Sequence, residues 1–110
     1  MPTITPYKAI SDDTRRHILD LLRGEPLTAG AIAVKFRHLS RPAVSKHLSI
    51  LRRSRLVSAK KQGRERVYTL NAKPLREVDT WVQQYEKFWD EQLQSFKTYV
   101  ESEVKKGDGP

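Results

Sequence analysis

No cysteine occurs among the 110 residues, which removes disulfides, thiolate metal sites, iron-sulfur clusters, thiol nucleophiles and thiol redox switches together. The only sulfur is that of Met1. No run of about 18 apolar residues is present, so a membrane-spanning helix is not expected. The opening Met1-Pro2-Thr3-Ile4-Thr5-Pro6 lacks the charged-then-apolar layout of a secretory signal, and a cytoplasmic protein without a membrane partner is expected. Serine, histidine and acidic residues are scattered, with no glycine-rich elbow and no phosphate-cradling loop, which argues against an enzyme and against a cofactor. Hydrophobic residues make up only 37% of the chain, a lean supply for one small core. Apolar surface is therefore expected to be completed by a second subunit.

Basic side chains are abundant, and they are unevenly placed. Residues 1–71 hold 15 Lys and Arg against 5 Asp and Glu, a net of +10, whereas residues 72–110 hold 6 against 8 and are slightly acidic. The stretch from Lys35 to Arg66 carries 11 basic residues and a single acid, Glu65. A polyanion, nucleic acid above all, is the natural partner of such a segment.

The periodicity of the chain divides it into short helices, a hairpin and one long helix, a mainly α fold with a small β-hairpin. Ser11 or Asp12 caps a helix whose apolar stripe is Ile18, Leu19, Leu21 and Leu22, and Gly24 with Pro26 stops it. Thr28 caps a second, Ala29 to Phe36, whose small Ala29, Gly30 and Ala31 admit a close neighbour. Ser40 caps a third, with Pro42 in its first turn, running to about Ser54. Beyond Leu56 the period shortens to two, and Val57–Lys61 and Glu65–Leu70 flank Gln62-Gly63-Arg64, a cationic hairpin tip. Pro74 then opens a helix about 45 Å long, with Leu75, Val78, Val82, Tyr85, Trp89, Leu93, Phe96, Val100 and Val104 spaced by threes and fours. Residues 1–72 form the expected first domain, 73–104 the long helix, and 105–110 a disordered tail.

Helix, short turn, helix and basic hairpin is the layout of a winged helix-turn-helix, in which one helix enters the major groove and the hairpin touches flanking backbone. At 100° per residue, Val44, Leu48 and Leu51 share one side of the third helix while Pro42, Lys46, Ser49 and Arg53 lie opposite, with Ser45 at the margin. Arg41, Ser45, Lys46 and Ser49 are suited to base edges, and Arg52, Arg53, Lys60, Lys61, Arg64 and Arg66 to phosphates. His47 lies beside the core face and either braces the helix or donates to a phosphate; His17 reads as a boundary residue and His38 as a turn residue.

These residues also carry a resemblance. Ala9-Ile10-Ser11-Asp12-Asp13-Thr14-Arg15-Arg16-His17-Ile18-Leu19 resembles the opening motif of the ArsR/SmtB family of bacterial repressors. Ser40-Arg41-Pro42-Ala43-Val44-Ser45-Lys46-His47-Leu48 resembles its recognition helix, and Gly63-Arg64-Glu65-Arg66-Val67-Tyr68-Thr69-Leu70 its wing. Three ordered motifs over roughly residues 8 to 71 make the resemblance specific. It implies a homodimeric transcription factor, with Ser40, Arg41, Ser45, Lys46 and His47 facing DNA. Asp13 stands where the family usually has proline, an acid favourable at a helix start. The family's metal sensors share a cysteine pair on the helix that here reads Ala29-Gly30-Ala31-Ile32-Ala33, and the last helix lacks the histidines of their second site. No metal site is therefore expected. Tyr85-Glu86-Lys87-Phe88-Trp89-Asp90-Glu91-Gln92-Leu93 resembles a motif of a metal-independent branch, and no small-molecule inducer is identified by it.

Six of the nine aromatics (Trp81, Tyr85, Phe88, Trp89, Phe96 and Tyr99) lie on the last helix, more apolar area than so small a domain covers. Dimerisation through Trp81, Tyr85, Phe88, Trp89 and Phe96, with Tyr7 and Ile10 of the N-terminal segment, is expected. The whole reads as a homodimeric autorepressor occluding an inverted-repeat operator in double-stranded DNA. The alternative is a winged-helix module docking on an acidic protein, since fold does not dictate function.

Overall fold

The computed structural model describes the backbone of residues 3–108 and the side chains of residues 3–104. Nine elements follow in order: α1 (Pro6–Ala9), α2 (Asp13–Gly24), β1 (Leu27–Thr28), α3 (Ala29–Val34), α4 (Arg41–Arg53), β2 (Val57–Gln62), β3 (Glu65–Leu70), α5 (Leu75–Gln83) and α6 (Glu86–Asp108). The polar residues expected at helix starts do the capping. Asp12, not Ser11, caps α2 by accepting from the Arg15 backbone N–H at 3.0 Å, while the Ser11 hydroxyl donates to the Lys8 carbonyl at 2.7 Å and closes α1. Thr28 and Ser40 accept from the N–H groups of Ala31 and Ala43 at 3.1 and 3.2 Å. Four-residue α1 was not expected; it is too short to show a period, and Thr5 and Pro6 start it.

One helix end agrees with expectation and one falls short of it. Helix α2 ends at Gly24, where Gly24 and Pro26 were expected to stop it, on the extended Glu25, a conformation that the following Pro26 imposes. Helix α3 stops at Val34, and i→i−3 bonds from Lys35 to Ile32 and from Phe36 to Ala33 tighten its end, which still leaves Phe36 in the core. Helix α4 ends on a non-glycine residue in the left-handed region, Arg55 at φ 63°. The Leu56 N–H returns to the Leu51 carbonyl at 3.0 Å and that of Arg55 to Arg52 at 2.9 Å, a Schellman arrangement that seats Leu51 and Leu56 together in the core.

The hairpin is longer and tighter than expected. Gln62 pairs with Glu65, so the turn is Gly63-Arg64 with Gly63 at φ 64°. A third strand joins it: Leu27 and Thr28 pair antiparallel with Tyr68 and Val67, giving the order β1-β3-β2. Behind the sheet and helices, Ile18, Leu19, Leu22, Ile32, Phe36, Val44, Leu48, Leu51, Leu56, Val57 and Tyr68 form one buried cluster. Each fully buried aliphatic side chain in it contributes about 1.5–3 kcal/mol.

The long helix expected from Pro74 is two helices. The i→i−4 ladder gives way at Gln84 and Tyr85, whose N–H groups bond i→i−3 to Trp81 and Val82 at 3.2 and 2.9 Å. Neither proline nor glycine marks the place, so an apolar stripe runs through it uninterrupted in the sequence. The chain divides into two compact units between Val78 and Asp79, beyond the boundary expected after residue 72, because Leu75 still packs on the core. The tail expected at 105–110 falls on residues whose side chains, and for Gly109 and Pro110 the backbone too, lie outside the described residues.

Candidate nucleic-acid interface

Helix α4 turns Val44, Leu48 and Leu51 into the core, and this sets the direction of everything opposite them. Arg41, Pro42, Ser45, Lys46, Ser49 and Arg52 are exposed, and Arg53 is half-buried; the Arg53 carbonyl accepts from the Ile4 N–H at 3.3 Å. Ser40, also exposed, is committed through its hydroxyl to the cap. On the hairpin, Lys60, Lys61, Arg64 and Arg66 are all exposed.

The helix and the hairpin share one open groove of about 700 Å³. Arg41, Ser45, Ser49 and Arg52 of α4 line it from one side and Arg64, Glu65 and Arg66 of β3 and its turn from the other, with Tyr68 at the floor. Four guanidinium groups against one carboxylate make it strongly cationic, and the serine hydroxyls both donate and accept. Lys46, Pro42, Lys60 and Lys61 stand on the same exposed elements outside this groove. Ala29 and Gly30 complete the groove wall, a place that the sequence pattern of small residues does not by itself assign to the site. The backbone at Gly30 has room for a side chain, with only the Thr28 hydroxyl about 4.0 Å from where its Cβ would lie, so no packing demands glycine there.

His47 faces α2. Its Nδ1 lies 3.2 Å from an Arg15 guanidinium nitrogen and 3.8 Å from Asp12 Oδ2, so the bracing reading has direct contacts behind it. Partial burial works against ionising Asp12, but the Arg15 backbone N–H, His47, the Arg15 guanidinium and the Thr14 N–H outweigh it and hold its carboxyl below the usual aspartate range. His17 and His38 flank the Phe36 ring edge-on at 5.2 and 6.4 Å, packing positions rather than ligand positions. Among the described residues no group of three His, Asp or Glu side chains is arranged to hold a metal ion, and no helix is long and apolar enough to cross a membrane.

On the second unit the apolar stripe is open. Phe88 is 61% and Phe96 67% exposed, and Trp81, Tyr85, Trp89, Leu93, Tyr99, Val100 and Val104 are exposed as well. Trp81, Tyr85 and Phe88 follow one another at 5.3 and 6.3 Å between rings, a continuous aromatic surface. Of the two expected N-terminal contacts, Tyr7 is half-buried with its hydroxyl donating to the Glu77 carbonyl at 3.0 Å, and Ile10 packs on the core edge.

A helix with a polar cationic face, presented beside a basic β-hairpin on a three-stranded sheet, defines a winged helix-turn-helix DNA-binding module. Residues 12–59 match the model of the bacterial regulatory protein arsR family. The transcriptional repressor SdpR of Bacillus subtilis is 45% identical over 76 residues, covering 69% of this chain and 83% of that protein. The HTH-type transcriptional regulator Rv2034 of Mycobacterium tuberculosis is 36% identical over 97 residues, covering 88% and 87%. Among solved structures, an ArsR-like transcriptional regulator from Rhodococcus sp. RHA1 superposes with a TM-score of 0.61 at 31% identity, covering 84% of this chain and 87% of that one. The chain belongs to the arsR family of bacterial regulatory proteins, and is a DNA-binding transcriptional regulator, not an enzyme.

Proposed function

We propose that the protein is a homodimeric repressor that occludes an operator with inverted half-sites, including one at its own promoter. The observation that carries this reading is the groove joining α4 to the hairpin, where Arg41, Arg52, Arg64 and Arg66 converge around Ser45 and Ser49. Arginine there suits bidentate guanine contacts and phosphate, and the serines suit either bases or phosphate. Arg41, Ser45, Lys46 and Ser49 read bases in this scheme, with Ser40 and Pro42 at the helix start. Arg52, Arg53, Lys60, Lys61, Arg64 and Arg66 supply salt-dependent phosphate affinity, and His47 joins them as a hydrogen-bond donor through Nε2. The groove is polar rather than apolar and aromatic, which favours nucleic acid over a protein surface as the occupant of its cationic lining.

The exposed aromatic surface of the second unit supports the dimer, since pairing about a two-fold axis buries both copies at once. Two recognition helices on one face of the duplex then demand half-sites about 10–12 base pairs apart, or a further turn apart near 20. Without cysteine, the family's thiolate site cannot form, so release from DNA is independent of metal at that position. SdpR, the relative sharing 45% identity, is itself named a repressor. The test is footprinting on DNA from upstream of the gene, with Phe88→Glu and Phe96→Glu combined as the dimer probe. A symmetric footprint at a promoter, lost together with the dimer mass in sedimentation, is expected. A single asymmetric half-site, or a variant that stays dimeric, contradicts the scheme.

A further inference from the structure

Arg15 is engaged at three nitrogens. Its Nε donates to the Ala9 carbonyl at 2.7 Å, one terminal nitrogen donates to the Lys8 carbonyl at 3.2 Å, and the other meets His47 Nδ1 at 3.2 Å. One rigid fork thus joins the C-terminal end of α1, the first turn of α2 and the middle of α4. Guanidinium has no acceptor, so the bond to His47 forms only with Nδ1 as acceptor, and the neutral ring then carries its proton on Nε2. His47 sits between Lys46, exposed beside the groove helix face, and Leu48, buried in the core, so holding its ring adds a directed polar hold to the rotation of α4 that Val44, Leu48 and Leu51 set.

We propose that Arg15 is a positioning residue for DNA reading, which through His47 fixes the rotation of α4 and keeps the Nε2–H tautomer of that histidine. The proposal rests on the DNA-binding reading above. Lysine cannot replace this arginine, because one ammonium does not span three acceptors in a plane. Site geometry loosened by fractions of an ångström costs discrimination between sequences before it costs phosphate attraction, which tolerates displacement. Asp12 and Arg15, both from the start of α2, are charged groups that lie against the ring.

The experiment measures the affinity ratio between a duplex enriched from a random library by the wild-type protein and an unselected duplex, with thermal melts to check folding. Arg15→Lys lowers that ratio about tenfold while the unselected duplex is bound within about twofold of wild type. His47→Asn, which offers Arg15 an amide oxygen as acceptor, keeps that ratio within about twofold of wild type, whereas His47→Leu, which offers none, lowers it about as far as Arg15→Lys does. A folded Arg15→Lys protein with the wild-type ratio, or a folded His47→Leu protein with the wild-type ratio, overturns the proposal. If Arg15→Lys does not fold, the comparison of His47→Leu with His47→Asn decides alone. A wild-type protein that enriches no duplex overturns the DNA-binding reading itself, and is told apart from the other failures by the first arm.

Discussion

Arg64→Ala is the sharpest probe of how the hairpin meets DNA. Arg64 occupies the turn after Gly63, is exposed, and lines the groove beside Arg66, so its removal leaves the core and the strand register intact. Each phosphate neutralised contributes about 0.9 to the slope of log affinity against log salt. Seven exposed cations, Arg41, Lys46, Arg52, Lys60, Lys61, Arg64 and Arg66, set a ceiling of roughly 6 for that slope in one subunit. Losing Arg64 from a dimer removes about 1.8, so between about 50 and about 200 mM salt the penalty of the substitution shrinks about 12-fold. For a bound monomer the shrinkage is about 3.5-fold. Fluorescence anisotropy across a salt series, on selected and random duplexes, reads both numbers. Parallel log-log lines for wild type and variant would remove the hairpin tip from the phosphate contacts, and a penalty confined to the selected duplex would make it a base reader instead.

Three further outcomes follow from local geometry. Arg55→Gly relieves a side chain held at φ 63° and raises stability by roughly 0.5–1 kcal/mol in urea unfolding, since the bond from Asn71 Nδ2 goes to the Arg55 carbonyl and survives. Asp12→Ala removes the α2 cap and costs about 1 kcal/mol at neutral pH. Because the Asp12 pKa is lowered in the folded state, its contribution is present above the ordinary aspartate value of 3.8 and is lost as pH falls through the folded value, so wild type and variant converge in acid. Zinc, nickel, copper or arsenite at about micromolar concentration leaves DNA affinity unchanged, and stoichiometric zinc binding that releases DNA would refute the metal-independent scheme.

Much of this architecture is legible in the chain because its signals are local. Thr28 and Ser40 cap helices within three residues of themselves, and Gly63 marks a turn that only a positive φ closes. The two faces of α4 follow from 3.6-residue spacing alone: Val44, Leu48 and Leu51 are buried, and Lys46 and Ser49 exposed. Once the inward side of that helix is known, the outward side chains of the candidate site follow, and charge distribution supplies the hairpin.

What was not legible depends on partners distant in the sequence. Leu27 and Thr28 become a strand only because Tyr68 and Val67 present a free edge to them, and two residues cannot display a period of two. That pairing draws the start of α3 to β3, which is why Ala29 and Gly30 border the groove beside Arg64 and Arg66. The interruption at Gln84 and Tyr85 is invisible for the opposite reason, since each residue there is an acceptable helix former and only the hydrogen bonds change. His47 shows the limit most clearly. Its position at the margin of α4 permits bracing or phosphate contact equally, and the choice of Nδ1 partner comes from Arg15, 32 residues earlier. A residue that acts through such a contact carries no motif of its own, so Arg15 reads in the sequence as one more base in a basic domain until α1, α2 and α4 are brought together around it.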